Sequence, residues 1–541
     1  MQRSLHTAGQ LIKKKPFFWA LVPVFFILKN ANIYFNVIPG GQVAWLLLGY
    51  LVRAFVLYFI LFRVFAKKNY KAALCCFVLL SVYFFFESFD HFLQAQKWLH
   101  PFNRYRWSYP ALALFLAAIF FYIRRLRSAP ERTILFLNLL LIFFCLSESL
   151  PLLYRSVSRQ QPLLSIEKEP SSLPGPTRQA SAPGLDSTSQ APGTPDATTS
   201  THQTPGPMHP SPHINIYFIL LDEYQGNAGL QKAFNYNDPL GTMLADRGFF
   251  APRVARSNYN YTFFSMPSVL NMNYLHGEIQ GSTAEEDHLL FSSGIALIRN
   301  SRVIRLLKSW NYEMINLSPF RLDDSGEVVS QFKSIVVEKD LIDDQTFFYS
   351  AKEKFAWMIS DKKILRFLNP LDYNIQYYNE YVGEHLDAAS AAPGKNPKFV
   401  YAHFFIPHSP YFKDSAGNEV NFRHFIQEKM GTDGKYMNDL YLGYLKYGNT
   451  ILINSIDTIL RHDPGAMIMV MSDHGYRGFP AEKKYLEYDN QFYARTPEQN
   501  YSGWPDTVDA VNAFRLLFNK EFDQQLGYLP YQAKEFKLPS R

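Results

Sequence analysis

Asp473 and His474 follow the apolar run Met467–Met471, which is typical of a buried strand. An aspartate next to a histidine suits Zn²⁺ or Mn²⁺ better than Ca²⁺. Gly475 comes directly after them and lets the backbone turn sharply. This motif therefore predicts two ligands of a divalent metal at the end of a strand.

A second acidic motif, Asp222 and Glu223, follows the apolar run Asn215–Leu221. Two adjacent carboxylates can supply hard oxygen ligands to a divalent cation. Acidic pairs after strands are also common without a metal. This motif alone therefore leaves both interpretations open.

The segment Ser257–Asn271 places three hydroxyl groups before an apolar helical pattern, on Thr262, Ser265 and Ser268. A hydroxyl at a helix N-terminus lies beside free amides that can bind a tetrahedral oxyanion. Metal coordination would lower the pKa of such a hydroxyl and make it a nucleophile. The alternative is that these side chains only cap a helix.

Two histidines lie in or directly after a third apolar run, Phe399–Phe405. His408 sits between prolines in a loop, where it can protonate a leaving group or bind an oxyanion. His403 lies within the strand pattern. We expect it to pack behind the site, with coordination as the alternative.

These motifs need a scaffold that brings distant strand ends together. Beyond Ile214 the chain alternates short apolar runs with helical patterns such as Asp287–Trp310 and Met437–Arg461. Strands that alternate with helices indicate an α/β domain with a largely parallel central sheet. Ligands in such folds gather at the carboxyl ends of the strands, where the acidic motifs lie.

The N-terminal part of the chain is dominated by Phe, Leu, Ala, Val and Tyr and predicts an α-helical transmembrane domain. A hydrocarbon core of roughly 30 Å needs about 20 residues of helix. We predict about five spans, which are Phe17–Phe35, Val43–Phe65, Ala72–Phe86, Tyr109–Ile123 and Thr133–Leu153.

Positive charge predicts the orientation of these spans. Basic residues precede the first span and lie between the second and third and between the fourth and fifth. The positive-inside rule puts these loops and the N-terminus in the cytoplasm. An odd number of spans then leaves the C-terminal domain outside the membrane, in the periplasm or the extracellular space. The net charge of +7 partly reflects these loops, so we expect no nucleic-acid partner.

We divide the chain into a transmembrane anchor at 1–155, a disordered linker rich in Pro, Ser and Thr at 156–213, and an α/β outer domain at 214–541. A flexible linker of this length would let the domain range tens of ångströms from its anchor. Cys75, Cys76 and Cys145 all lie in predicted spans. The outer domain therefore has no disulfide framework, thiolate metal site or cysteine nucleophile.

The order of these motifs resembles the alkaline phosphatase superfamily, specifically its sulfatase-type domain. The shared pattern is a strand followed by Asp-Glu, a hydroxyl at a helix start, then Pro-His-Ser-Pro-Tyr and Ser-Asp-His-Gly. With five spans before the domain, the chain is similar to membrane enzymes that transfer phosphoglycerol or phosphoethanolamine, such as lipoteichoic acid synthases and lipid A phosphoethanolamine transferases. The resemblance implies a membrane lipid or an envelope glycan as substrate.

The resemblance also implies roles for individual residues. Four of them would bind the metal, expected to be Zn²⁺ or Mn²⁺ with Ca²⁺ or Mg²⁺ as alternatives: Asp222, Glu223, Asp473 and His474. Thr262 would be the nucleophile, and His408 would be the catalytic histidine on the substrate side. We further expect contacts with the substrate from three residues: His403, Arg477 and Ser265. Lys483 is an alternative to Arg477 for binding an anionic oxygen.

One departure from the family pattern bears on the reaction. Sulfatases convert the Cys or Ser of a Cys/Ser-x-Pro-x-Arg motif to formylglycine. Ser265 and Pro267 fit the start of this motif, but Val269 stands where the arginine should be. This favours transfer of a phospho-head group by an unmodified Thr262. The alternatives are a sulfuric-ester hydrolase or phosphodiesterase, and a non-catalytic binding module on the same fold.

Overall fold

The computed structural model describes residues 15–35, 38–95, 105–158, 164–168, 214–277, 284–323, 340–343, 345–349, 351, 377–420 and 434–535. The predicted linker lies outside the described residues except at 156–158 and 164–168. The described helices of the anchor are α1 Phe18–Ile33, α2 Gly40–Val64, α3 Asn69–Ala95, α4 Tyr105–Arg125 and α5 Glu131–Ser158.

Four of these anchor helices, α2 to α5, contain segments long and apolar enough to cross a membrane. The helix α1 has 16 residues. At 1.5 Å per residue it reaches about 24 Å, which is less than a hydrocarbon core of about 30 Å. It contains Pro23 and packs against α2, α3 and α5. The fifth span and the cytoplasmic N-terminus therefore stay predictions.

The start of α1 is capped by a polar side chain from α5. Oδ1 of Asn138 accepts hydrogen bonds from the amides of Phe17 and Phe18, at 3.2 and 2.9 Å. Nδ2 of Asn138 donates to the carbonyl oxygen of Lys15 at 2.9 Å. Because the first amides of a helix lack partners within the helix, this contact stabilises α1 inside the bundle.

The described strands are β1 Ser165–Ile166, β2 Ile216–Leu221, β3 Val254–Arg256, β4 Leu275–His276, β5 Glu313–Leu317, β6 Lys398–Phe404, β7 Met467–Ser472, β8 Phe492–Arg495 and β9 Thr507–Asp509. The described helices beyond the anchor are α6 Asn227–Phe234, α7 Leu240–Ala245, α8 Thr262–Asn271, α9 Ala284–Ile298, α10 Arg302–Ser309, α11 Asp340–Asp343, α12 Tyr378–Ala391, α13 Gly434–His462 and α14 Ala513–Glu521, with 3-10 helices at Ala481–Tyr488 and Ala510–Asn512.

The central sheet has the strand order β5-β6-β2-β7-β8. β2 pairs in parallel with β6 and β7, and β5 pairs in parallel with β6, whereas β8 runs antiparallel to β7. The strands β2, β6 and β7 are buried along their whole length. This explains their continuous apolar sequences, because both faces of these strands are covered. All three coincide with the predicted strands to within one residue at each end.

The helical patterns differ in one place from the prediction. Met437–Arg461 lies within the single helix α13. Asp287–Trp310 instead covers most of α9 and all of α10. Between them Asn300 has a φ of 52°. Asparagine tolerates this left-handed conformation, which ends a helix and lets a new one begin after Ser301.

Residues 164–168 lie in the predicted linker but belong to the folded outer domain. β1 pairs antiparallel with β4, and the side chain of Leu164 has no exposed surface. It packs in a hydrophobic cluster with Tyr259 and Tyr274. The prediction of a disordered linker is therefore wrong for these residues, because Leu164 and the strand pairing supply burial that the Pro- and Ser-rich residues lack.

Candidate active site

The carboxyl ends of the central strands bring two acidic residues together. Leu221, the last residue of β2, pairs with Ser472, the last residue of β7. The residues that follow, Asp222 and Asp473, therefore leave the sheet side by side, as the sequence predicts. The amide of Glu223 donates to Oδ1 of Asp473 at 3.0 Å, which ties the two strand ends to each other.

Asp222, Asp473 and His474 form a buried group whose ligand atoms all lie within 4.8 Å of one another. Oδ1 of Asp222 is buried without a hydrogen-bond partner. Burial of Asp473, next to the negative charge of Asp222, raises the pKa of Asp473. Two buried carboxylates this close favour a bound cation, because the cation offsets their desolvation and their mutual repulsion.

The imidazole of His474 is oriented by the neighbouring backbone. Nδ1 lies 2.8 Å from the carbonyl oxygen of Gly475, and a carbonyl can only accept, so Nδ1 carries the hydrogen. Nε2 therefore presents a lone pair, 3.3 Å from Oδ2 of Asp473. An imidazole nitrogen beside two carboxylates matches the ligands that Zn²⁺ or Mn²⁺ takes in proteins. The residues present fit such an ion.

Thr262 is the first residue of α8, and its hydroxyl faces this acidic group. Oγ1 donates to Oδ2 of Asp473 at 2.5 Å and lies 3.5 Å from Nε2 of His474. The nucleophile predicted from the sequence is therefore in direct contact with two of the predicted metal ligands. The hydroxyl therefore lies where a metal held by these ligands would be close enough to activate it.

The N-terminus of α8 presents backbone amides to the same place. The amides of Phe264 and Ser265 both donate to the carbonyl oxygen of Tyr261. The amides of Thr262 and Phe263 precede these bonds and, by helix geometry, point out of the N-terminus. They form an anion site beside the Thr262 hydroxyl that suits the oxygens of a phosphate or sulfate ester.

The other two hydroxyls of this segment bind backbone. Oγ of Ser265 donates to the carbonyl oxygen of Asp473, and Oγ of Ser268 donates to that of Asn273, each at 2.7 Å. Both serine side chains are 1% exposed. Ser265 therefore supports the end of β7, and its predicted contact with the substrate stays a prediction.

Glu223, His408 and Arg477 form a second cluster beside the acidic group. The backbone amide of Arg477 donates to Oε1 of Glu223 at 2.8 Å. The side-chain Nη2 of Arg477 donates to Nε2 of His408 at 2.9 Å. Burial opposes ionisation of Glu223, but the charge of Arg477, the two neighbouring histidines and the hydrogen bond from the Arg477 amide together outweigh it and hold the pKa of Glu223 below its usual range. Glu223 is directed at Arg477 in this structure, so its role as a fourth metal ligand stays a prediction.

The two ring nitrogens of His408 have different partners. Nδ1 lies 2.6 Å from the carbonyl oxygen of Ser409 and carries the hydrogen. Nε2 accepts from the guanidinium of Arg477, which has no acceptor atom. The side chains of His408 and Arg477 are 27% and 28% exposed. This pair therefore lies on the open side of the site, where a substrate can reach it.

His403 lies behind Asp222, on the closed side of the site. Nε2 of His403 is 3.2 Å from Oδ2 of Asp222, and its Nδ1 is 3.2 Å from the hydroxyl of Tyr401. A carboxylate only accepts, so Nε2 is the donor and Nδ1 accepts from the tyrosine. The imidazole has no exposed surface. It orients Asp222 with Oδ1 left free, and the predicted contact with the substrate finds no support.

No family model matches the sequence, and no curated protein matches it. Among solved structures, the chain is similar to the C-terminal periplasmic domain of EcEptC from Escherichia coli, with 12% identity over 59% of this chain and 83% of that chain and a TM-score of 0.36. The same domain has been solved in complex with Zn.

Two further solved structures are similar to this chain. One is the C-terminal periplasmic domain of phosphoethanolamine transferase EptC from Campylobacter jejuni, with 10% identity over 59% of this chain and 92% of that chain and a TM-score of 0.33. The other is the lipoteichoic acid synthase LtaP from Listeria monocytogenes, with 10% identity, 59% and 75% coverage and a TM-score of 0.35. These are the kinds of protein that the motifs resemble.

Two neighbours of the site are missed by the sequence analysis. The ring of Tyr261 lies under the guanidinium of Arg477, with 4.7 Å between the guanidinium carbon and the ring centroid. Oε2 of Glu487 accepts from Nδ2 of Asn260 at 2.8 Å, and this glutamate is 3% exposed. Tyr261 directly precedes Thr262 and could have been suspected from that position. Glu487 lies far from any motif and could not.

Proposed function

We propose that this protein is a membrane-anchored, metal-dependent enzyme that transfers a phospho-head group through Thr262. The observation that carries the proposal is the 2.5 Å hydrogen bond from the Thr262 hydroxyl to Asp473, within a buried group of residues able to bind a metal. A hydroxyl, an anion site and oxygen and nitrogen ligands at one point are the components of ester transfer by covalent catalysis.

Three residues would hold the metal: Asp222, Asp473 and His474. Zn²⁺ or Mn²⁺ suits this set of donors, and Glu223 is a candidate fourth ligand. A bound ion would supply positive charge and Lewis acidity beside the reacting ester.

In the first half of the reaction, Oγ1 of Thr262 forms a bond to the phosphorus of the donor, and the bond from phosphorus to the departing alcohol oxygen breaks. Oδ2 of Asp473 orients the threonine hydroxyl in a hydrogen bond before the attack, and the threonine proton is released to water as the bond to phosphorus forms. The departing oxygen takes a proton from His408 in its imidazolium form. For this, Nε2 of His408 gives up the hydrogen bond from Arg477 and takes a proton from water before the first turnover; in later turnovers the proton comes from the acceptor hydroxyl. The head group is left on Thr262 as a phosphodiester.

In the second half, an acceptor hydroxyl attacks the modified threonine. The neutral His408 accepts the proton of the attacking hydroxyl, and the Thr262 oxygen takes up a proton from water as the bond to phosphorus breaks. With an alcohol as acceptor the cycle is a transfer, and with water it is hydrolysis of a phosphodiester.

The anchor supports a substrate that is held at the membrane. Four helices of the described part of the chain are long and apolar enough to span it. The basic loops favour a cytoplasmic N-terminus, with the outer domain on the opposite side of a bacterial cytoplasmic membrane. We therefore propose an ester of a membrane lipid or an envelope glycan as the donor.

The proposal is tested by substitutions at the two candidate nucleophiles, with turnover of lipid vesicles and bound metal measured on the same samples. We expect Thr262→Ala to lower turnover by about 10³-fold or more while it still binds Zn²⁺ or Mn²⁺. Thr262→Ser should retain part of the turnover, and Ser265→Ala most of it. Normal turnover by Thr262→Ala with its metal bound would refute the proposal. Loss of turnover in Ser265→Ala alone, together with an aldehyde at Ser265 in the wild type, would support the sulfatase alternative.

A further inference from the structure

We propose that the outer domain is fixed on the outer face of the membrane bundle at two places. On this view the distance between the outer domain and the membrane does not depend on the Pro- and Ser-rich residues 169–213. The first attachment is β1, and the second is the segment 340–349. Our conclusion about the substrate, given below, rests on the proposed function.

The first attachment follows directly from the last anchor helix. α5 ends at Ser158, and the docked residues begin at Leu164. The chain between these two residues can span at most about 22 Å, at 3.3–3.6 Å per residue. The outer domain is therefore attached to the bundle by a short connection, and the range of tens of ångströms expected from the sequence does not apply.

Contacts on both sides of β1 hold this connection to the outer domain. β1 pairs with Leu275 and His276 of β4. Nδ2 of Asn273 donates to the carbonyl oxygen of Glu167 at 2.7 Å, and the amide of Glu167 donates to the carbonyl oxygen of Tyr274 at 2.9 Å. The Glu167 carboxylate also pairs with the ammonium of Lys534. These contacts place residues 164–168 firmly on the domain.

The residues 169–213 therefore begin and end on the same folded unit. Residues 164–168 are docked against β4, and Ile214 leads directly into β2 at the centre of the sheet. A segment that leaves and re-enters one domain does not set the distance between that domain and the membrane, whatever its conformation. Its length is then free to vary, since loop length costs little free energy.

The second attachment is the segment 340–349, which lies between β5 and α12. The hydroxyl of Tyr34 accepts from Nε2 of Gln345 at 3.0 Å. The ring of Phe347 packs between Phe86 of α3 and Tyr109 of α4, with centroid distances of 5.1 and 5.5 Å. These partners lie at the ends of the membrane helices that the charge pattern places outside.

The same segment carries a deeper contact. The hydroxyl of Tyr50, which lies within α2, donates a hydrogen bond to the carboxylate of Asp343. The neighbouring Ile342 has no exposed surface and belongs to the hydrophobic cluster that includes the membrane helices. Ile342 is buried against the membrane helices, and Asp343 is hydrogen-bonded to one of them. This segment therefore attaches the outer domain to the bundle.

This arrangement holds the nucleophile near the membrane. α8, which begins with Thr262, packs on α9, and α9 contacts α1. Two helix-to-helix steps of 8–10 Å each put the nucleophile helix about 20 Å from α1. The domain should therefore act on an ester held in the outer leaflet and not on one carried far from the membrane.

The experiment uses the full-length protein in vesicles, with a site for a specific protease inserted between Leu185 and Asp186. After complete cleavage, the fragment 186–541 should sediment with the membranes and retain its turnover of a lipid donor. Release of this fragment into the supernatant on cleavage would overturn the proposal, because only a covalent linker would then have held the domain.

Release should instead require both cleavage and loss of the docking contacts. We expect the cleaved double variant Leu164→Asp, Phe347→Ala to release the fragment, whereas the uncleaved double variant stays bound through the chain. If the cleaved double variant remains bound, these contacts are not the attachments and the proposal is wrong.

A soluble nitrophenyl phosphodiester separates this result from the proposed function. The released fragment should lose turnover of the lipid while it keeps turnover of the soluble ester. Wild-type protein that turns over neither ester would refute the proposed function and leave the sedimentation result to decide the attachment. Equal loss of both esters on release would overturn the claim that the attachment serves access to the membrane.

Discussion

The hydroxyl of Thr262, at the start of α8, donates a 2.5 Å hydrogen bond to Oδ2 of Asp473, at the end of β7. The other carboxylate oxygen, Oδ1, accepts from the amides of Glu223 and His474 at 3.0 and 2.9 Å. The carboxylate is therefore held by the backbone on one side and meets the hydroxyl on the other. The position of the nucleophile depends on the packing of α8 as much as on the strand ends.

The packing of α8 can be tested at Gly294 in α9. A Cβ at this position would lie 2.0 Å from the carbonyl oxygen of Phe263, next to Thr262. We expect Gly294→Ala to destabilise the protein by about 1–3 kcal/mol and to lower turnover, because α9 must move away from the start of α8. The measurement is the unfolding temperature together with kcat.

The matched control for this substitution is Gly383→Ala in α12. There the added Cβ would meet only Oγ of Ser455, at 3.8 Å. This change should leave turnover intact and stabilise the helix by up to about 1 kcal/mol. Equal effects of the two substitutions would show that the contact between α8 and α9 does not position Thr262.

The role of His403 is tested by metal affinity. Removing its imidazole takes away the donor to Oδ2 of Asp222, so the carboxylate is free to rotate. We expect His403→Ala to weaken binding of Zn²⁺ or Mn²⁺ by about 10–100-fold, measured by competition with a chelator. Tyr401→Phe removes only the hydroxyl behind His403 and should have a smaller effect. Unchanged affinity in His403→Ala would exclude the orienting role.

The contact between Arg477 and His408 predicts a loss in turnover without a loss of metal. Arg477→Lys keeps the charge but loses the planar group that donates to Nε2 of His408 and covers Tyr261. A lost hydrogen bond from a charged group costs about 1.5–3 kcal/mol, so kcat should fall about ten- to a hundredfold. Lys483→Arg, the reverse change at a lysine of the 3-10 helix Ala481–Tyr488, keeps the charge and should leave kcat unchanged. Weaker metal binding in Arg477→Lys would contradict this assignment.

Burial of Glu487 predicts a pH-dependent stability. Burial raises the pKa of Glu487, and the hydrogen bond from Asn260 only partly opposes this. The folded protein therefore holds this proton more tightly than the unfolded chain. Above about pH 4.3, the stability falls as the pH rises through the raised pKa. Glu487→Gln should raise the unfolding temperature at pH 7.5 but not near pH 4.

The control for this pH effect is Glu482→Gln, an exposed residue of the same 3-10 helix. It should change the unfolding temperature little at either pH. A gain for Glu487→Gln that is the same at pH 4 and pH 7.5 would show that packing, and not titration, is responsible.

The strand ends of the site were predictable because strands that are buried on both faces have continuous apolar sequences. β2, β6 and β7 are covered on both faces and read as continuous apolar runs. Parallel strands end at the same edge, so Asp222 and Asp473 had to lie close together. The start of α8 was also predictable, since a hydroxyl-rich segment precedes an apolar helical pattern.

Other features depend on tertiary contacts that have no recognisable sequence pattern. Glu223 adopts a left-handed conformation, with a φ of 61°, and its carboxylate faces Arg477. Nothing in the order of residues distinguishes this from a fourth metal ligand. The two-residue strand β1 is too short to produce a periodic pattern. Its docking depends on the partner strand β4, so the linker prediction missed it.

The central claim is that Thr262 carries the transferred group, and the most direct test is the mass of the peptide that contains it. Protein with its metal bound would be mixed with lipid vesicles, quenched in acid within a single turnover and digested. We predict a mass increase equal to one phospho-head group, located on Thr262 and absent from Thr262→Ala. An increase on Ser265, or continued turnover with no covalent adduct at any time point, would contradict the account.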